Sequence, residues 1–306
     1  MATLDHDPAR DAPPFDATAP LTPSGNLRRR LIVSTAAQAG ALIAAGIAVA
    51  ALAIVTIVVI SHGVKIISWS FITTNQSQYG VGGGIGSAII GSAIIVGFGA
   101  LIAIPLGVLC AIYLVEFARP SSAMAKGLQT GLDMMQGMPT VVIGLFVRGL
   151  FNAKQLGVAG SIALSIIMLP LIARTAQEVL RTIPQSMRQA ADALGVDRWR
   201  SILGVVLPAA LGGIATGTIL AIARAAGETA PLLIVDGIFD PAKTTINIFG
   251  QGVPNIPLAI YEAAESPTPD ALQRVWGTAL VLLGLILIAN IAARVMLARS
   301  RRRMGL

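Results

Sequence analysis

The stretch Leu31–Ile60, LIVSTAAQAGALIAAGIAVAALAIVTIVVI, is apolar throughout its length and contains no charged side chain. A helix rises about 1.5 Å per residue and the hydrocarbon core of a bilayer is about 30 Å thick, so about 20 apolar residues are enough to cross it. The run therefore predicts a transmembrane helix with some room for tilt. The whole chain has the same character, because 55% of its 306 residues are hydrophobic and only 12% are charged. Soluble domains are about 25% charged.

Further apolar segments predict the rest of the membrane domain. They lie at about residues 86–115, 127–151, 158–173, 209–235 and 275–293, and Pro139 interrupts the second of these. The fold class expected is therefore an all-α integral membrane protein with about six transmembrane helices, formed by residues 28–300. Residues 1–27 are rich in proline and aspartate and predict a disordered tail. Residues 301–306 predict a short basic tail.

The distribution of arginine and lysine predicts the orientation in the membrane. Arginines crowd both ends of the apolar region and the loops that follow the second and fourth spans. Because basic residues are retained in the cytoplasm, both termini are expected there, at the membrane of a bacterial cell. The net charge of +7 is then a consequence of topology, and nucleic acid is not an expected partner. The single cysteine excludes an intramolecular disulfide, and no metal site is expected.

Two charged residues interrupt the fifth apolar segment. Arg224 and Glu228 are four residues apart, which would place both on one face of a continuous helix. A charge at bilayer depth is costly and usually faces a pathway or a partner, and a guanidinium matches the oxygens of an oxyanion. We expect an anion pathway in which Glu228 neutralises Arg224 at rest and Thr229 donates a hydroxyl hydrogen bond. The alternative is an ion pair that only holds two helices in register.

The segment at about residues 174–208 is too long for a simple turn between spans. Alanine and leucine predict a helix over Gln189–Leu194, Gly195 is suited to a left-handed position, and Asp197 can cap a second helix. Such a unit is either a docking surface or an interfacial helix on lipid. Asp133, near the inner end of the third span, could pair with an arginine of this segment.

The same segment resembles the EAA loop of ABC-importer permeases. The residues that carry the resemblance are Gln189, Ala190, Ala191, Gly195, Val205, Leu207 and Pro208. The spacing matches throughout, while Gln189 and Val205 stand where the family usually has Glu and Ile. The resemblance implies the type I importer permease fold and a loop that seats in a separate ATP-hydrolysing subunit. No GxxxxGK[ST] loop occurs, so the chain is expected to be a transport subunit without a cofactor, with ATP and Mg on its partner.

A second resemblance covers residues 223–232, ARAAGETAPL. It is similar to the ARAxGETAPL segment of phosphate-importer permeases of the PstA type. This implies a permease that forms half of a phosphate pathway in the lipid membrane. The implied partners are a second permease of the PstC type, two ATPases of the PstB type and a phosphate-binding protein of the PstS type. The alternatives are a permease for another oxyanion, a membrane-embedded enzyme, or a membrane scaffold without a transport role.

Overall fold

The computed structural model describes residues 27–77, 82–119, 121–237, 240–244 and 247–303. The tail predicted to be disordered, residues 1–27, lies outside these residues apart from Leu27. The chain divides into two units, residues 1–56 and 57–306, which are described separately. In the first unit the described residues form a single helix, the beginning of α1 (Leu27–Gly63).

The described part of the second unit is also helical. Its helices after α1 are α2 (Trp69–Thr73), α3 (Gly86–Ile112), α4 (Ala123–Gly137), α5 (Thr140–Leu150), α6 (Gly157–Thr182), α7 (Gln185–Ala193), α8 (Arg198–Ser201), α9 (Leu207–Ala226), α10 (Ala230–Val235), α11 (Ile256–Glu265) and α12 (Pro269–Arg303). A π-helical turn, Tyr113–Phe117, extends α3, and a second, Ile202–Val206, joins α8 to α9. By length and composition five described helices can cross a membrane, and the bent pair α4–α5 would make a sixth. The all-α prediction with about six spans is confirmed.

The helices that form can be compared with the predicted spans. The predicted interruption of the third span is confirmed and is sharp, because α4 and α5 meet at 108° around Pro139, which lacks an N–H and disfavours a helical conformation in the residue before it. The fourth does not end at residue 173, since α6 continues to Thr182 through charged and polar residues that are themselves good helix formers. The fifth was predicted to reach residue 235, but α9 ends at Ala226.

Helix α6 lies at the centre of the second unit, with α3 and α9 packed against it. Glycines allow these close contacts: a Cβ atom on Gly107 of α3 would lie 3.0 Å from Ile172 Cγ2, and one on Gly217 of α9 would lie 2.3 Å from Thr175 Oγ1. Small residues let membrane helices approach closely. We call the end of this unit where α6 finishes and α7 and α8 lie the loop end. The end where α6 begins is the opposite end.

At the opposite end the segment 247–255 is folded onto the first turn of α6. Gly157 N donates to Gln251 O over 3.0 Å, and the buried carboxyl group of Asp236 accepts from Val253 N at 2.8 Å and from Asn255 Nδ2 at 3.1 Å. The first turn of α6 is therefore held in place by this segment.

Candidate functional site

The fifth span is interrupted beside Arg224. Arg224 lies in the last turn of α9, whereas Glu228 lies in the turn between α9 and α10. The interruption has a local cause, because Pro231 has no N–H and its ring would clash with the carbonyl of Gly227 in a continuous helix. The expectation that Arg224 and Glu228 share a face of one helix is therefore wrong. Among the described residues no ion pair joins them.

The two interrupted spans lie against each other. Helices α5 and α10 are in contact where Gly144 has no side chain, and a Cβ atom there would lie 2.9 Å from Pro231 Cα. Further along, Arg148 Nη1 donates to Ile234 O over 3.2 Å. Discontinuous helices of this kind form the binding sites of many transporters near the bilayer midplane.

Arg224 faces a cavity of about 290 Å³ beside the α4–α5 break. The other lining residues come from that break and from α6: Met135, Gln136, Met138, Thr140, Ile143, Ile167 and Leu171. Leu171 is the fifteenth residue of the 26-residue α6, so at about 1.5 Å per residue the cavity lies about 21 Å from the start of that helix, near its middle. The guanidinium is exposed, and in the described part of the chain it forms no ion pair.

The start of α5 also lines this cavity. Thr140 is the first residue of this helix, and Pro139 at its N-cap gives no side-chain hydrogen bond. The first N–H groups of a helix have no partner within the helix and carry partial positive charge, which favours an anion. The cavity thus combines a guanidinium, the amide of Gln136 and a helix N-terminus. Sequence reasoning missed Gln136 and Thr140, although Pro139 marked the break.

Glu228 and Thr229 are half-buried and do not line the cavity. Glu228 N donates to Ala225 O, and Thr229 O accepts from Leu233 N, so their described hydrogen bonds belong to the backbone of the turn. Their part in a substrate pathway stays a prediction. Asp133 is bonded to Arg174, which confirms the expected pairing and joins α4 to α6 beside the cavity on its loop side.

A second cavity, of about 280 Å³, lies at the opposite end between α11 and α12. It contains Glu262 and the buried Arg274, whose Nη1 donates to Gly82 O over 2.6 Å. Burial raises the pKa of Glu262 above its ordinary value, and a hydrogen bond from Gln76 opposes that rise. An acidic group is unfavourable for an anion, so the cavity at Arg224 is the better candidate for an anion pathway.

The predicted helix, glycine and helix form at the loop end. Helix α7 contains Gln189 and Ala190, which are exposed, and Ala191, which is buried. Gly195 has a φ of +69°, the left-handed conformation expected of it, and its Cβ position is open. Asp197 occupies the N-cap of α8 without a side-chain hydrogen bond to it. Val205, Leu207 and Pro208 are half-buried where the second π-helical turn passes into α9.

Arg188 connects α7 to the end of α3. Sequence reasoning did not identify this residue. Its Nη2 lies 2.7 Å from Oε1 of the buried Glu116, in the π-helical turn that ends α3. The two residues are 72 positions apart, and nothing in their local sequence predicts the pairing.

Comparisons with known proteins agree with this architecture. A family model described as "Binding-protein-dependent transport system inner membrane component" matches residues 103–304. The chain is 36% identical over 230 residues to the "Phosphate transport system permease protein PstA 1" of Mycobacterium tuberculosis (strain ATCC 25618 / H37Rv), covering 73% of each chain. It is 37% identical over 223 residues to the "Phosphate transport system permease protein PstA" of Yersinia pestis, covering 72% of this chain and 74% of that one.

The fold is also similar to a solved structure, an inward-facing conformation of the MetNI methionine ABC transporter. The TM-score is 0.54 with 18% sequence identity, over 71% of this chain and 95% of the other. At this identity the similarity concerns the fold alone, which is that of an ABC-importer permease.

Proposed function

Because the chain belongs to the family of binding-protein-dependent transport system inner membrane components, we propose that it moves inorganic phosphate as a PstA-type permease of an ATP-driven importer. It is a multi-pass protein of the cell membrane and a transport component rather than an enzyme. In this proposal it forms half of the pathway, and ATP and Mg bind to a separate subunit. The arginines at the loop end and at both ends of the membrane domain support cytoplasmic termini.

The observation that carries the proposal is the position of Arg224. Its guanidinium lies near the middle of the α6 helix, in a cavity next to two interrupted spans, with no carboxylate bonded to it among the described residues. A phosphate there would accept hydrogen bonds from Arg224, from Gln136 and from the first N–H groups of α5. Because few donors converge, binding would be weak enough to allow release.

The role proposed for Glu228 needs a conformational change. Glu228 could cover Arg224 between transport events only if the turn around Gly227 rearranged, since the two side chains are not paired in the structure. Gly227 lowers the free energy needed to change the backbone conformation of that turn, because glycine has no Cβ atom to restrict it. Thr229, in the same turn, would follow the movement.

The family to which the chain belongs implies that it works with the other components of an ABC importer. We propose a PstC-type permease beside it, two PstB-type ATPases and a PstS-type phosphate-binding protein. The exposed surface of α7, with Gln189 and Ala190, is the proposed contact for one ATPase. The resemblance of the residues from Gln189 to Pro208 to an EAA loop supports this assignment.

The test is ATP-dependent uptake of labelled phosphate by the complete complex in vesicles. Arg224→Gln should lower uptake about tenfold or more without changing complex assembly, since hydrogen bonds to charged groups contribute about 1.5–3 kcal/mol. Arg224→Lys should keep part of the activity because it keeps the charge. Arg294→Gln removes an exposed arginine of α12 and is the matched control. Normal uptake by Arg224→Gln would reject the site.

The same vesicles separate the alternative functions. Uptake of sulfate in place of phosphate by the unaltered complex would indicate a permease for another oxyanion. A complex that assembles but moves neither ion would favour a scaffold.

A further inference from the structure

One guanidinium at the loop end connects three helices. Arg188, in α7, donates to Glu116 Oε1 from Nη2 at 2.7 Å and from Nε at 3.1 Å. The same Nε lies 3.3 Å from Glu116 Oε2. Its Nη1 donates to Ile183 O at 2.7 Å, and its Nη2 also donates to Leu180 O at 2.9 Å. Arg188 therefore ties α7 to the end of α3 and to the last turn of α6. We call the pair Arg188–Glu116 the loop latch.

The π-helical turn at the end of α3 places Glu116 in this position. Ala118 N donates to Tyr113 O, five residues earlier, which closes the wider turn. Such a turn changes the direction of the side chains that follow it, and π-helical turns are frequent at functional sites. Here it leaves the Glu116 side chain only 4% exposed, whereas the next residue, Phe117, is exposed.

Phe117 makes a second connection to the loop. Its ring centroid lies 5.8 Å from that of Trp199 in α8, and Arg198 Cζ lies 5.8 Å from the Phe117 ring. We call α7, α8 and the turn between them the coupling loop. One π-helical turn at the end of α3 thus contacts both of its helices, α7 through Glu116 and α8 through Phe117. The contact uses adjacent residues, so the two loop helices are held relative to the same short segment.

The ion pair gives the loop a defined position more than it adds stability. A buried charge pair loses much of its attraction to desolvation, and apolar replacements often stabilise as well. Ala191 is the one residue of α7 that is buried, so packing alone fixes this helix weakly. A guanidinium that bonds a carboxylate and two carbonyl oxygens at once allows few other arrangements. The latch therefore limits movement of α7 relative to α3 and α6.

Helix α6 continues from the latch to the candidate phosphate site. Leu180, whose carbonyl accepts from Arg188, is on the same helix as Arg174, which is bonded to Asp133 of α4. Leu171, one turn before Arg174, lines the cavity of Arg224. A rigid helix thus joins the latch to the cavity wall. Without the latch, α7 would lose its bonds to α3 and α6. The loop would then act on the membrane helices through its chain connections to α6 and α9 and through the contacts of Phe117 with α8.

We propose that Arg188 and Glu116 are positioning residues that make the coupling loop move as one body with the adjoining ends of α3 and α6, so that displacement of the loop by the ATPase reaches the cavity of Arg224. This inference rests on the proposed function in so far as it assumes an ATPase bound to α7. It assigns no direct contact with substrate or ATP to either residue.

The first test compares phosphate uptake with ATP hydrolysis in the complete complex. Glu116→Gln and Arg188→Gln should assemble and hydrolyse ATP, but the phosphate moved per ATP should fall about fivefold or more. Arg188→Lys should fall less, because an ammonium keeps the charge but cannot bond the carboxylate and both carbonyls together. Arg181→Gln, which removes an exposed arginine from the same turn of α6, is the matched control and should keep the wild-type ratio.

Two results would overturn the proposal in this test. In one, the variants lower only the amount of assembled complex, while the ratio within that complex stays at the wild-type value. The pair would then only stabilise the fold. In the other, all variants transport normally. Should Glu116→Gln fail to assemble, Arg188→Lys, which keeps both charges, provides the comparison with a smaller expected fall in the ratio.

The second test does not depend on the transported ion. Spin labels at Ser186 in α7 and Leu109 in α3, both exposed, would report the distance between loop and helix in a Cys110→Ala background. With the latch intact, the distance should stay the same when ATP binds to the complex. With Glu116→Gln it should change or broaden. If the distance changes by an equal amount with the latch intact, the inference is overturned. Failure of the phosphate assignment would appear only as absent phosphate uptake by the unaltered complex.

Discussion

Replacing Gly144 by alanine should disturb the contact between the two interrupted spans. A Cβ atom on Gly144 would lie 2.9 Å from Pro231 Cα, 3.2 Å from Pro231 O and 3.4 Å from Ile234 Cβ. These atoms belong to α10, a short helix with Pro231 as its second residue, and the two nearest are backbone atoms that no rotamer change can move. Non-bonded carbon atoms prefer about 3.5–4.0 Å, so α5 and α10 would have to separate by about 0.6–1 Å.

The expected cost follows from a matched glycine in the same helix. Gly149 has no atom within 4 Å of its Cβ position, so Gly149→Ala tests the helix preference for alanine without a clash. That preference is at most about 1 kcal/mol in favour of alanine. Overpacking typically costs about 1–3 kcal/mol, which we expect as the difference between the two variants. In domains of roughly 150–250 residues each kcal/mol shifts Tm by about 2–4 °C, which gives a difference of about 2–12 °C.

The assay is thermal unfolding of the two purified variants in one detergent, followed by phosphate uptake in vesicles. Gly144→Ala should melt lower and transport less, because α10 is joined through the Gly227 turn to the end of α9 that carries Arg224. Gly149→Ala should transport normally. Equal melting temperatures for the two variants would refute the close contact of α5 and α10, and with it the arrangement of the site.

Three other predictions concern separate parts of the molecule. A Cβ atom on Gly91 would clash with Pro254 O, whereas one on Gly97 would have no atom within 4 Å. Gly91→Ala should therefore lower Tm and Gly97→Ala should not. A lower Tm for Gly97→Ala than for Gly91→Ala would contradict the packing of α3. Burial raises the pKa of Asp236 to about 8, so the folded state keeps a proton that the unfolded state loses, and stability should fall between about pH 4 and pH 8. Thermal unfolding across that range should show a larger fall for the wild type than for Asp236→Asn, in which Glu262 still contributes a fall of the same sign; equal falls would contradict the prediction. Gln189 is exposed, so Gln189→Glu should change the free energy of unfolding by less than about 0.5 kcal/mol, and any effect should appear instead in the affinity of the complex for its ATPase, measured by co-purification.

Local patterns in the sequence predicted the all-helical class and the number of membrane spans well. Uncharged apolar runs are sufficient to indicate membrane spans, because the bilayer sets their length. The left-handed Gly195 and the helix before it followed from residue preferences alone. Arg224 could be selected because a charge inside an apolar segment is costly wherever it points. The break in the third span and the loosened end of the fifth also followed from the sequence, since Pro139 and Pro231 act on their immediate neighbours.

Contacts between distant segments could not be predicted in this way. Glu116 and Arg188 are 72 residues apart, and their pairing depends on a π-helical turn that rotates one side chain inward. The residues around Arg224 come from α4, α5 and α6, so they share a cavity only because those helices pack at particular angles. The separation of Arg224 from Glu228 also had to be observed, since four-residue spacing places two groups together only where a helix is continuous.

The sequence by itself thus determined that the protein is a helical membrane protein with a charged residue deep in one span and an organised loop outside the membrane. These features depend on composition and on interactions within a few residues, which act before any tertiary contact forms. Only the tertiary structure decided which groups face the cavity and which residues hold the loop. Both depend on how the helices are rotated and packed, and that is a property of the whole set of contacts rather than of any one segment.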